Sequence, residues 1–117
     1  GIGFSNFEAA ADISGLTALD YTSQNRHVGI INLTSSNASE ALDTIVNFPT
    51  QFPFTLKPAA GLTLTITGTA IGGIAAGQIA MKAASYTLDG SKVEYIVLES
   101  DPTNTYLVEK QVVNGLI

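Results

Sequence analysis

The residues able to do chemistry are few and poorly placed for it. His27 is the only histidine and there is no cysteine, so His-pair metal sites, thiolate zinc sites and cysteine nucleophiles are excluded. Asp20, Ser23 and His27 can be written as a hydrolase triad. Their local setting, a loop leading into a strand, gives that triad no geometry, and a packed or surface histidine explains His27 as well. Glu94 with Glu99, or Glu99 with Asp101, supplies the pair of carboxylates that a glycosidase needs. The competing reading is a solvated strand face on which Lys92, Glu94, Glu109 and Lys110 act as cross-strand charge partners, and the spacing favours it.

Asp101, Asn104 and Glu99 offer oxygen ligands of the kind calcium takes, without the spacing of a calcium loop. A turn held by Asx hydrogen bonds accounts for the same residues. Asn32-Leu33-Thr34 and Asn37-Ala38-Ser39 match the glycosylation sequon, a pattern that arises by chance in chains rich in Asn, Ser and Thr. The glycines at 68, 72, 73 and 77 form neither G-x-G-x-x-G nor a P-loop, so phosphate binding is not expected. Phe48, Phe52, Phe54, Tyr86, Tyr95 and Tyr106 could line a sugar platform, but alternating aromatics within strands are more often core. On these grounds no catalytic residue, cofactor or metal is expected.

Composition points the same way. The 117 residues carry 5 basic and 10 acidic side chains, a net charge of −5 that repels a phosphate backbone and argues against nucleic-acid partners. Only 13% of the chain is charged, and Thr, Ser, Asn and Gly carry the polarity instead. Such a surface suits packing against other protein. Gly1–Asp12 lacks the basic start and apolar run of a signal peptide, so none is expected there. Pro58–Met81 is apolar enough to test as a membrane span, and Gly68/Gly72 and Gly73/Gly77 have helix-packing spacing. The period-2 alternation of Leu62–Thr67 and the five glycines in that segment favour strand and loop.

The elements that must position any site are strands. Phe52–Ile66 and Val93–Glu99 alternate large apolar residues with Thr, Lys or Glu, the signature of half-buried β-structure. A short helix is expected around Asn6–Ala11 and a helical turn at Ser39–Asp43. Strands are expected at Arg26–Leu33, Thr44–Phe48, Phe52–Leu56, Leu62–Thr67, Gln78–Lys82, Tyr86–Leu88, Lys92–Glu99 and Thr105–Val112. Phe52–Leu56 and Leu62–Thr67 should pair about the Pro58–Gly61 turn, and Asp89-Gly90 should turn a hairpin. No fixed-period repeat is visible. The expected fold is all-β: one domain over 1–117, a small antiparallel β-sandwich, jelly-roll-like or barrel, of about seven or eight short strands, with 1–20 a candidate N-terminal arm.

Three successions carry a likeness: Asn47–Ile71 (NFP, then PFTLKPAAGLTLTITGTAI), Tyr86–Glu99 (YTLDGSKVEYIVLE) and Thr105–Val113 (TYLVEKQVV). Together they resemble β-modules of tailed-bacteriophage structural proteins, in particular capsid decoration (cement) proteins and head- or tail-fibre domains. The likeness spans Asn47–Val113 and rests on β-turn patterns rather than catalytic signatures. Glu94-Tyr95 departs from the Asp-Tyr usual in such modules, and Gly1–Val46 carries no such likeness.

The resemblance implies a non-enzymatic virion structural protein on the capsid surface. It would bind the major capsid protein and stabilise the shell as a homotrimer, without nucleic-acid or membrane partners. Contact residues are then expected in the N-terminal arm, at Ile2, Phe4 and Phe7, and in the glycine-rich loop, at Gly72, Gly73 and Ile74. The arm residues read equally well as a cap on the domain's own core. Two other classes stay open: a fibre, spike or baseplate module for host attachment, and an extracellular carbohydrate-binding domain.

Overall fold

The computed structural model describes residues 8–21, 28–69 and 74–115. Eleven strands run through them: β1 Glu8–Asp12, β2 Ala18–Asp20, β3 Ile30–Thr34, β4 Ser39–Leu42, β5 Thr44–Val46, β6 Phe54–Pro58, β7 Thr63–Thr67, β8 Ile79–Ala80, β9 Ser85–Asp89, β10 Tyr95–Ser100 and β11 Leu107–Val113. The all-β expectation holds, with no α-helix among the described residues. Two local expectations are corrected. Glu8–Ala11 and Ser39–Leu42, read as helical, are strands β1 and β4. Alanine is a weak strand former, but ladder pairing along the whole of β1 outweighs so small a preference.

The sheets are not those of a sandwich or barrel. β1, β3 and β6 lie side by side in parallel, Glu8 beside Ile30 and Ile30 beside Thr55. β4 lies parallel to β7 with Ser39 beside Thr63, and β2 parallel to β5 with Ala18 beside Thr44. Each strand therefore meets the one about two dozen residues further on. The chain winds as stacked coils whose sides form three walls, a β-solenoid-like arrangement. Parallel neighbours need a long crossover, and here the rest of each coil supplies it without a helix. Backbone bonds carry the stacking through the corners: Ile13 N–H donates to Thr34 O, Thr63 N–H to Ala38 O, and Ile45 N–H to Gly77 O.

The last third of the chain changes direction. β9 pairs antiparallel with β7, β10 antiparallel with β6, and β11 antiparallel with β10. The final coil is thereby covered along two of its walls, and the sheet edges at that end pass from β6 and β7 to β8 and β9. β8 runs parallel to the start of β11, and Ala80 bridges to Thr69. The expected hairpin of β6 and β7 does not form: they turn the Ala59–Leu62 corner into different sheets. Asp89-Gly90 likewise turns a corner between sheets, and the antiparallel hairpin that does form is that of β10 and β11.

One core serves all three walls. Ile31, Leu33, Phe54, Leu56, Ile96 and Leu98 enter it from the six-stranded sheet, Leu42, Leu64, Ile66 and Leu88 from the β4-β7-β9 sheet, and Leu19 and Ile45 from the smallest. The period-2 pattern sets this directly: in β6 and β7 the buried positions alternate with more exposed ones. Tyr21 and Phe54 meet edge-to-face at 5.0 Å between ring centroids, and the Tyr21 hydroxyl donates to Val28 O.

Candidate functional site

The carboxylates suggested by the sequence are structural fasteners. Glu94 is 3% exposed, and its two oxygens accept from Asp89 N–H at 2.7 Å and Gly115 N–H at 2.8 Å. It ties the β9–β10 corner to the chain beyond β11, so the expected solvated partner of Lys92 is a buried acceptor instead. Glu99 lies on β10, whose alternation turns Ile96, Leu98 and Ser100 inward and Glu99 outward. Glu94 and Glu99 therefore do not converge on a shared cleft. Glu109 accepts from the Tyr86 hydroxyl at 2.9 Å and from Lys82 N–H at 2.9 Å. That carboxylate pushes the Tyr86 phenol above its ordinary range, after the larger effect of burial.

Asp101, the best calcium candidate, is saturated by its own loop. One oxygen accepts from Thr105 N–H at 2.7 Å and Tyr106 N–H at 2.9 Å, the other from the Thr103 hydroxyl and, at 2.9 Å, Thr103 N–H. This is the Asx-bonded turn, formed by donors that fill the lone pairs a cation would need. Burial of Asp101 acts to raise its pKa, but these four hydrogen bonds outweigh it and hold the carboxyl well below the usual range. No grouping of His, Asp and Glu suited to a metal occurs among the described residues.

The other candidates scatter. Asp20 accepts from Asn47 Nδ2 at 3.0 Å, while Ser23 and His27 lie outside the described residues, as do Ile2, Phe4, Phe7, Gly72 and Gly73. Ile74 is half-buried at the start of the stretch leading into β8. Asn32, in the first sequon, sits within β3 and donates to Glu8 Oε1 at 2.9 Å, and Asn37 donates to Glu40 Oε2 at 2.8 Å. Of the aromatics, Phe54 is core and Tyr86 is tied to Glu109, so the six do not form one platform. Among the described residues no helix is long and apolar enough to cross a membrane.

What the fold does assemble is a face. On the outer side of β4, β7 and β9 stand Ser39 and Thr63 in one row, Ala41, Thr65 and Thr87 in the next, and Thr67 and Ser85 in the third. Strand geometry sets them about 4.8 Å apart across strands and about 6.7 Å apart along them. Thr65 and Thr87 share a hydroxyl–hydroxyl bond of 3.4 Å. Asp89, in register with Thr63, is the one ionisable group of these rows, and its Oδ1 already accepts from Ser91 N–H.

This array was half visible in the sequence. The TLTIT alternation of β7 showed its outward threonines, but the neighbours that extend them come from strands distant along the chain. Comparison of the chain with protein-family models, with curated proteins and with solved structures finds no match.

Proposed function

We propose that the chain is a virion structural protein, a capsid decoration protein that docks on the outer surface of the major capsid shell and stabilises it as a homotrimer. The observation that carries this reading is the Ser/Thr face of β4, β7 and β9. Its methyl groups contribute apolar area, and its hydroxyls each donate and accept, so they can satisfy whatever polar atoms a partner presents. With Asp89 alone at its margin, covering the face desolvates almost no charge, the costly step in forming most interfaces. A rigid β-framework presents the face without ordering cost, and three copies on one shell gain from effective concentration even where each contact is weak. The role is non-enzymatic and needs no cofactor.

Thr65→Lys tests it. The side chain stands on the outer side of β7, so stability should change by less than about 1 kcal/mol. A buried unpaired ammonium at the interface should lower capsid occupancy at least about tenfold. Occupancy equal to that of the unchanged protein would remove this face from the interface.

The second reading, a fibre or spike module for host attachment, draws on the parallel coiling, since stacked coils build shafts. Immunogold labelling of intact particles separates the two. Label over the whole head supports decoration, label confined to the tail supports the fibre module, and unlabelled particles overturn both.

A further inference from the structure

A groove of about 460 Å³ opens where β5 ends, between the chain entering β8 and the loop joining β10 to β11. Its lining includes Val46, Asn47, Phe48, Ala76, Asn104 and Thr105, and among the described residues none that lines it is ionisable. Asn47 (φ 56°) and Asn104 (φ 59°) both hold the left-handed backbone conformation, which Asn tolerates better than most side chains.

From this geometry we propose that the groove binds a neutral carbohydrate, one or two pyranose rings of a glycan without acidic groups. A sugar ring has an apolar C–H face and a rim of hydroxyls that donate and accept at once. Phe48, half-buried against the core, contributes an aromatic surface for the C–H face. The carboxamides of Asn47 and Asn104 match the hydroxyl rim, since each carries both donor and acceptor atoms.

Both carboxamides are oriented beforehand. Asn47 donates through Nδ2 to Asp20 at 3.0 Å, leaving its oxygen with acceptor capacity. Asn104 accepts through Oδ1 from the Ser100 hydroxyl at 3.0 Å, leaving its NH₂ with two donors. Thr105 adds a hydroxyl at the rim. The volume lies within the range of about 300–1,000 Å³ common for small-ligand sites. Uncharged walls offer nothing to a phosphate, sulfate or uronate, which selects neutral sugars by default. The groove is distinct from the Ser/Thr face, and the proposal is independent of the capsid reading.

Saturation-transfer NMR on the full chain, with glucose, galactose, mannose and N-acetylglucosamine and their disaccharides as separate probes, tests it. The comparison variant is Asn47→Gly with Asn104→Gly, because glycine keeps the left-handed backbone while deleting both carboxamides. Transfer from at least one neutral sugar is expected, weakened about five- to tenfold in the double variant. Binding should survive in Thr65→Lys, which leaves the groove untouched. Circular dichroism and thermal melting confirm that the double variant is folded. Should it not be, Thr105→Val, close to isosteric, serves as the second variant and should also weaken transfer. No transfer from any neutral sugar would overturn the proposal. So would transfer undiminished in the folded variants, or transfer from sialic acid or a sulfated sugar alone.

Discussion

Gly90→Ala is expected to destabilise the protein by about 3 kcal/mol or more, combining overpacking with the loss of a backbone hydrogen bond. A methyl group on Gly90 would stand 1.8 Å from Ala59 O, 2.7 Å from Ala59 C and 2.8 Å from Leu62 O. All three are backbone atoms of the corner between β6 and β7, which cannot swing aside as a side chain can. Room can come only from separating that corner from the one between β9 and β10. Separation breaks the 2.9 Å bond from Gly90 N–H to Leu62 O and draws β9 away from β7. Denaturant unfolding of the variant measures the loss.

A second substitution identifies the cause. A glycine needed for a left-handed turn would accept Asn, but Gly90 is not among the positive-φ residues. Gly90→Asn should therefore be as damaging as Gly90→Ala. At Gly61, where φ is +90° and nothing lies within 4 Å, alanine should cost only the conformational strain of about 1–2 kcal/mol. Gly90→Ala within about 0.5 kcal/mol of the unchanged protein would refute the close-approach account.

The same corner shows how far the sequence could be read. Alternation in Phe54–Pro58 and Thr63–Thr67 located β6 and β7, their inward faces and the turn between them, because side-chain direction in a strand is a local property. Partner choice is not local. A turn at Pro58–Gly61 admits a hairpin, whereas the structure uses it as a corner and finds each strand's partner a full coil away. No repeat announced the coils, because stacked core positions hold unequal side chains: Ala9 beside Ile31 beside Leu56, and Ala11 beside Leu33 beside Pro58.

Glu94 was misread for a related reason. The two N–H groups that make its burial tolerable belong to Asp89 and Gly115, brought to it by turns that no local pattern specifies. The groove shares that origin: Asn47 and Asn104 line it together only because the chain after β5 and the loop joining β10 to β11 are brought side by side. Asp101 was the opposite case. Its donors at Thr103, Thr105 and Tyr106 follow it directly in the chain, so its turn chemistry could be read from adjacent letters.

Acid should destabilise the molecule, and the carboxylates fastened by hydrogen bonds are the cause. Asp101, Asp12 and Glu40 all have folded pKa values below their ordinary ones of 3.8, 3.8 and 4.5. For Asp12 the cause is the Ser14 hydroxyl and N–H, and for Glu40 the Ser35 hydroxyl, Asn37 and Gly15 N–H. A depressed folded pKa means that, as pH falls through about 4.5 and below, the unfolded chain takes up protons that the folded chain still refuses. The stability these groups contribute is thus complete near neutrality and is lost progressively toward the folded pKa values.

Asp101 is held lowest of the three, so it should account for the largest single share of the acid limb. Asp101→Asn exchanges one accepting oxygen for an NH₂ group; facing Thr103 it sets donor against donor at the Thr103 N–H, whose bond is lost, while the Thr103 hydroxyl can turn to accept. The variant should be less stable at neutral pH. Its stability should also fall less steeply below pH 4, the difference approaching one proton per molecule in the pH dependence. Urea midpoints measured from pH 7 down to pH 2 give both quantities. An equal acid slope in Asp101→Asn and the unchanged protein would mean that the loop's hydrogen bonds do not hold the proton off, and the fastening role of Asp101 would fall with them.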